Sequence, residues 1–354
     1  MHTLILGFIT AFVLTYVIIP VIIGVARQRK FLALPNERSS HEVPTPSLGG
    51  IGIFAGTIVA VVLWAPFSAF AGMQHVLAAF VLIFLIGVLD DVLPLSPVKK
   101  FAGQLLVSVI LAYKSNVRLT SFYGAFGILD IPELTSFVLS VVAIVGIINA
   151  FNLIDGINGL AGSIGLLACV AWGIWFGCIG AEPLSIIAFS LAGAIVAFLK
   201  YNFTPARIFM GDTGSLLIGT VCAILAIKFI EINYQLPPEH PFRVDAAPSI
   251  AVAVLILPIF DTLRVFVRRI VQGRSPFSPD KSHIHHLLLD LGLSHMQSTA
   301  WLVLTNVVFV AAAVVLNHYG MVMVLLLELA AATGLTALLQ FLKPVSSSSH
   351  DDAA

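Results

Sequence analysis

The sequence predicts an all-α, polytopic integral membrane protein of about eleven transmembrane helices, with the N-terminus outside and the C-terminus inside. Three observations predict it. Of 354 residues, 59% are hydrophobic and only 10% are charged, against roughly 25% charged in an average soluble domain. Apolar runs near the ~20 residues needed to cross a bilayer recur along the chain. Fourteen of the eighteen Lys and Arg fall on one side when spans are counted from an external N-terminus, in keeping with the positive-inside rule. Net charge is zero, so bulk charge gives no argument for a nucleic-acid partner.

The expected spans are 3–25, 49–66, 75–89, 101–114, 134–150, 160–178, 184–199, 214–232, 248–267, 299–317 and 320–342. The first run lacks a basic leader and a clear cleavage site, so it reads as a retained span. A single transmembrane domain then covers 1–345, followed by a polar tail, 346–354, expected to be disordered. Cys169, Cys178 and Cys222 fall in or beside apolar runs and read as small apolar residues, with no disulfide framework or metal site. Five polar stretches share one face: 35–50, 90–100, 149–160, 200–215 and 268–298. That face is the cytoplasmic one, and a functional site is expected there.

The chain is organised around the polar island Asn149 to Gly162. Asn149, Asn152, Asp155 and Asn158 recur every third residue, so a helical turn would gather them on one side. Polar groups beside a bilayer need partners; a nucleotide and a phosphate would supply them, and a self-satisfied re-entrant connector is the alternative. Asp90 and Asp91 end the third span. Adjacent acids at a membrane boundary call for a cation, and oxygen ligands of this kind suit Mg2+. Lys99 and Lys100 follow at a distance that lets them face phosphate. Gly211-Asp212-Thr213-Gly214-Ser215 opens the eighth span. Asp212 can hold a metal there while the helix N–H groups attract a phosphate, or the loop is a simple helix cap. His283, His285 and His286 lack zinc's usual spacings and read as phosphate or proton contacts. Asp261, Arg264 and Arg268 share one helix face aimed at them. The leucines from Leu287 to Leu293 suggest an amphipathic segment against the membrane. Arg38 and His41, in a Pro- and Gly-shaped loop, fit an anionic group or a solvated turn.

Together these stretches resemble the polyprenyl-phosphate N-acetylhexosamine-1-phosphate transferase family. The motifs occur in family order: Pro35-Asn36-Glu37-Arg38-Ser39-Ser40-His41, Asp90-Asp91, Asn149 to Gly159, Gly211 to Ser215, and His283-Ile284-His285-His286. The last, after Ser275-Pro276-Phe277-Ser278-Pro279-Asp280, looks like the branch that starts O-antigen, common-antigen or teichoic-acid glycans; the phospho-MurNAc-pentapeptide branch is the alternative. The resemblance implies a bacterial inner-membrane enzyme that moves HexNAc-1-phosphate, most simply GlcNAc-1-phosphate, from a UDP-sugar to undecaprenyl phosphate and releases UMP. It implies Mg2+, with Mn2+ as the substitute. Asp90, Asp91 and Asp212, joined by Asp155, would surround metal and diphosphate. His283, His285 and His286 complete the implied catalytic set. Arg38, His41, Lys99, Lys100, Asn149, Asn152, Asp155, Asn158 and Arg264 would bind substrate. Partners are the UDP-sugar, the lipid phosphate and the bilayer, and a homodimer is compatible with the sequence. Position 158 is Asn where the family often has Asp, and Ala33 stands where many relatives have Asp. From other classes, a secondary transporter should show internal repeats and midplane polar groups, and an Asp-rich prenyltransferase needs a second acidic pair.

Overall fold

The computed structural model describes residues 2–29, 44–275 and 282–342. Arg38, His41, Ala33, Lys281 and the tail from 343 lie outside them. Among the described residues the chain is helical, with an isolated bridge between Ser121 and Asp130 and no strand.

The helices in chain order are α1 (His2–Gln28), α2 (Gly49–Trp64), α3 (Phe70–Val92), α4 (Pro97–Lys114), α5 (Glu133–Ile154), α6 (Leu160–Cys178), α7 (Glu182–Asn202), α8 (Gly211–Gln235), α9 (Ala247–Val254), α10 (Ile256–Val271), α11 (Ile284–Asp290), α12 (His295–Val315) and α13 (Met321–Leu342). Eight of them, α1, α3, α5 to α8, α12 and α13, are long and apolar enough to cross a membrane. The spans expected to be short are longer than the apolar runs, because their polar ends stay helical: Asp90 and Asp91 belong to α3, and Lys99 and Lys100 to the first turn of α4.

The bundle is built around α8. Between Asp212 and Lys228 it carries no charge, and its residues from Thr213 to Ile227 are buried. Its polar groups are satisfied locally, as where the Thr220 hydroxyl donates to the Leu216 carbonyl at 2.8 Å. Small residues bring neighbours to its backbone. A Cβ on Gly219 would lie 2.8 Å from Ile148 Cα, one on Gly87 2.4 Å from Thr213 Cα, and one on Gly50 2.1 Å from Gly214 N. So α5, α3 and α2 all meet α8 nearly backbone to backbone. Outside this core α1 runs parallel to α7, tied by Thr3 to Glu182 at one end and Tyr16 to Lys200 further along. Its other face, Ile5, Ile9, Val13, Val17 and Val21, is exposed, as a lipid-facing stripe would be.

Two expectations need correction. The stretch 248–267 is not one straight span: α9 and α10 meet at an 81° bend around Leu255. In α10 Asp261 and Arg269 are buried while Leu263, Val267 and Ile270 are exposed, so its polar side faces the protein and its apolar side faces outward. The leucines after the histidines do not lie free against the membrane either. Ile284, Leu287 and Leu288 are buried, and Ile284 and Leu288 join the main core.

Candidate active site

Four helix ends meet at one point: the end of α3, the start of α4, the end of α5 and the start of α8. Lys100 stands at the centre. Its ammonium lies 2.7 Å from Asp212 Oδ2, 3.0 Å from Asp90 Oδ2 and 3.3 Å from Asn152 Oδ1. Asn152 also donates to Asp212 Oδ1 and, at 3.0 Å, to the Ser215 hydroxyl. Asp90 Oδ1 accepts the Leu95 N–H at 2.6 Å, which closes the turn between α3 and α4 and sets the carboxylate beside the lysine.

Asp91 has a different role from Asp90. Its Oδ1 accepts the Asp212 N–H at 2.7 Å, and its Oδ2 accepts both the Thr213 N–H at 3.0 Å and the Thr213 hydroxyl at 2.5 Å. It caps α8 from another helix. The first N–H groups of α8, expected to attract phosphate, are therefore taken by a carboxylate. Gly211 permits this: at φ +70° it turns the chain into α8, and a Cβ there would sit 2.6 Å from Asp91 Oδ2 and 2.1 Å from Ser47 O.

Asp155 follows α5 as its C-cap. Among the described residues it has no hydrogen bond or ion pair, and burial, with negative Asp212 and Asp91 nearby, pushes its carboxyl up to about 7. A carboxyl in that position lacks a positive partner.

A second cluster meets this one at the polar loop. Asp261 accepts the Ile284 N–H at 3.0 Å, pairs with Arg264 at 2.7 Å and holds His283 Nδ1 at 2.9 Å. Arg264 also donates to the Ser282 carbonyl. Among the described residues its Nε and Nη1 are buried without an acceptor, donors of the kind an anion satisfies. His285 stacks on His283 with ring centroids 5.7 Å apart and reaches Gly156, where a Cβ would fall 2.4 Å from its Nε2. Burial pushes the His285 imidazole down to about 3, with His286 adding to the effect. It is neutral at physiological pH and wedges the two clusters together.

Known proteins match this chain over most of its length. The profile described as Glycosyl transferase family 4 matches residues 73–230. The chain is 32% identical to the decaprenyl-phosphate N-acetylglucosaminephosphotransferase of Mycobacterium leprae, over 81% of this chain and 77% of the relative. It is 32% identical to the probable undecaprenyl-phosphate N-acetylglucosaminyl 1-phosphate transferase of Bacillus subtilis, over 90% and 86%. The chain belongs to glycosyl transferase family 4. The Escherichia coli K12 undecaprenyl-phosphate alpha-N-acetylglucosaminyl 1-phosphate transferase is 29% identical over 83% of this chain and 78% of its own length.

In this family-4 chain the fold gathers Asp90, Lys100, Asn152 and Asp212, with Asp155 alongside, and separately Arg264, His283, His285 and His286. It does not bring in Lys99, which is exposed. Asn149, one turn before Asn152, gives its amide nitrogen to Gln104 of α4 at 2.5 Å. Asn158 is a joint: its side-chain amide nitrogen donates to the Thr204 hydroxyl at 2.9 Å, and its main-chain carbonyl accepts from the Thr299 hydroxyl at 2.8 Å. Gln104 was not singled out by sequence, where an isolated polar residue in an apolar run carries no distinguishing signal; Ser215 was read within the Gly211–Ser215 motif, without a partner assigned to it. Asp261 was marked by its spacing to Arg264.

The donor set fits a hard cation. Three side-chain oxygens already gather about one positive charge, and the partnerless Asp155 adds a carboxylate. Among the described residues no three His, Cys, Asp or Glu close on one point, which corrects the expectation of four acids around one ion; one or two carboxylates would need substrate phosphates to complete a Mg2+ shell.

Proposed function

We propose that this chain transfers GlcNAc-1-phosphate from UDP-GlcNAc to undecaprenyl phosphate, releasing UMP and forming the lipid-diphosphate sugar that starts a cell-surface glycan. The observation that carries it is the Asp90–Lys100–Asn152–Asp212 cluster at one end of the bundle, in a chain whose relatives are named for this transfer. A phosphate oxygen of the acceptor bonds to the β-phosphorus of the donor while the bond to the bridging oxygen breaks, and the electron pair leaves with UMP. Two anions meet, so positive charge must be supplied where it develops. Lys100 supplies it at the carboxylate cluster, and Arg264, with its two unsatisfied nitrogens, supplies it at the histidine cluster. A phosphate monoester has a second pKa of about 6, so the acceptor arrives largely as a dianion and needs little help from a base; Asp90 is placed to take the proton of the remaining monoanion. His285, neutral and buried, orients rather than exchanges protons, while Asp261 holds His283 by its Nδ1.

Asp212, with Asp90 or Asp155, would hold Mg2+ together with the substrate phosphates, and the ion would supply charge neutralisation on the diphosphate. Mn2+ satisfies the same oxygen donors. We place the site at the cytoplasmic face of a bacterial inner membrane. Eleven spans follow if the bent α9–α10 pair and the shorter α2 and α4 join the eight long helices, and an external N-terminus then agrees with the Lys and Arg distribution. The single catalytic domain reaches residue 345.

Purified enzyme with UDP-GlcNAc, undecaprenyl phosphate and Mg2+ is expected to release UMP in a lipid-dependent way. EDTA and Asp212→Asn should both abolish release. Silence with every nucleotide sugar, in folded protein, overturns the proposal and returns the transporter to consideration. A phospho-enzyme trapped with UDP-GlcNAc alone would replace direct attack by a covalent route.

A further inference from the structure

Gln104 lies in the apolar part of α4, one helical turn beyond Lys100, and is only 1% exposed. Its Oε1 accepts from Asn149 Nδ2 at 2.5 Å, and the same nitrogen donates to the Val145 carbonyl at 2.8 Å. A main-chain carbonyl can only accept. The Val145 contact therefore fixes which end of the Asn149 amide is nitrogen, and Gln104 must answer with its oxygen. That leaves Gln104 Nε2 buried with no acceptor. A stranded amide donor is destabilising, so methionine, of similar length, would fill this space at lower cost. The glutamine is explained instead by what it does to Asn149. With both amide protons taken, one by α5 itself and one by α4, the Asn149 carbonyl oxygen is turned away from both. Asn149 stands one turn before Asn152, whose own oxygen meets Lys100 at 3.3 Å.

We propose that Gln104 is a positioning residue of the transferase site. It locks the Asn149 amide so that an acceptor oxygen, and not an NH2 group, faces an N–H or O–H of the nucleotide-sugar. The inference rests on the proposed transferase activity. The test measures UMP release by wild type, Gln104→Met, Gln104→Leu, Gln104→Glu, Asn149→Ala and Gln104→Met/Asn149→Ala, with thermal melting of each. If wild type is silent, the transferase assignment fails, whatever Gln104 does.

With wild type active, Gln104→Met is expected to melt no lower than wild type, yet to raise KM for UDP-GlcNAc about three- to tenfold with kcat nearly unchanged, the loss of one hydrogen bond. Gln104→Glu keeps an acceptor oxygen and should restore KM. On the Asn149→Ala background, Gln104→Met should add nothing. The inference is overturned if Gln104→Met and Gln104→Leu keep the wild-type KM, if Gln104→Glu behaves like Gln104→Met, if the two losses simply add, or if both apolar variants lose the fold.

Discussion

Replacing Lys100 by Met removes the one positive charge between two carboxylates while keeping the length of the side chain. At 3.0 and 2.7 Å, and with an effective dielectric constant near 20, each attraction is about 6 kcal/mol before desolvation. Burying the ammonium offsets much of that. Breaking a shielded pair from one side typically costs about 3–5 kcal/mol, because the partner charge is left behind. Here two partners are left behind, Asp90 and Asp212, facing each other. The metal-free protein should therefore melt clearly lower than wild type. Mg2+ should recover more stability in the variant than in wild type, since the cation no longer competes with an ammonium for the same oxygens; a tenfold tighter site adds about 1.4 kcal/mol at saturating metal. Turnover should still fall, by about a hundredfold or more, because Lys100 also neutralises charge in the transition state. Lys100→Arg should not rescue it, since a planar fork cannot occupy the point where three oxygens meet. Melting curves against Mg2+, with UMP release in parallel, test all of this. Turnover within threefold of wild type, or the same Mg2+ response in both proteins, would refute the reasoning.

Three further outcomes are expected. Gly156→Ala places a methyl 2.4 Å from His285 Nε2 and should cut UMP release well before it lowers the melting midpoint, because the loop and the histidine helix are forced apart. His285 is held near 3 when folded against about 6.5 unfolded, so the unfolded chain binds the extra proton. The stability this histidine contributes is complete above pH 6.5 and is lost as pH falls, by about 1.4 kcal/mol at pH 5.5; His285→Gln should flatten the melting profile between pH 5 and 7. Glu328, buried in α13 with neither carboxyl oxygen bonded, should give a higher melting midpoint as Glu328→Leu, with the gain read by thermal scanning in detergent.

Much of the fold was legible because a bilayer permits few solutions: apolar runs near the spanning length had to be helices, and polar breaks had to be their ends. The bend at Leu255 was not, since hydropathy averaged over a whole span hides a helix whose second half is two-sided, although Asp261 and the arginines of α10 carried that signal. Among the site residues, Asp90 and Lys100 were both readable as functional, but the lysine was read as a phosphate contact and not as the partner of Asp90. The contrast between Asp90 and Asp91 was not. It depends on α8 returning 121 positions later to present its N–H groups to one carboxylate and its Asp212 side chain to the other's lysine. Gln104 was hidden for a related reason. A single amide in an apolar run resembles a tolerated exception until its partner on α5 is in view.

The glycines around the first turn of α8 have a consequence for how this protein lives in different membranes. Asp212 is set by main chain resting on main chain, from Gly50 on one side and Gly87 on the other, with no long side chain between to shift rotamer. Lipid thickness and lateral pressure act first on the outer helices, α1 and α13, whose exposed apolar stripes meet the acyl chains. Strain entering there has to cross the bundle before it reaches a contact with almost no slack. A change of lipid is thus expected to move the rim of the bundle before it alters the spacing of Asp212 from its neighbours.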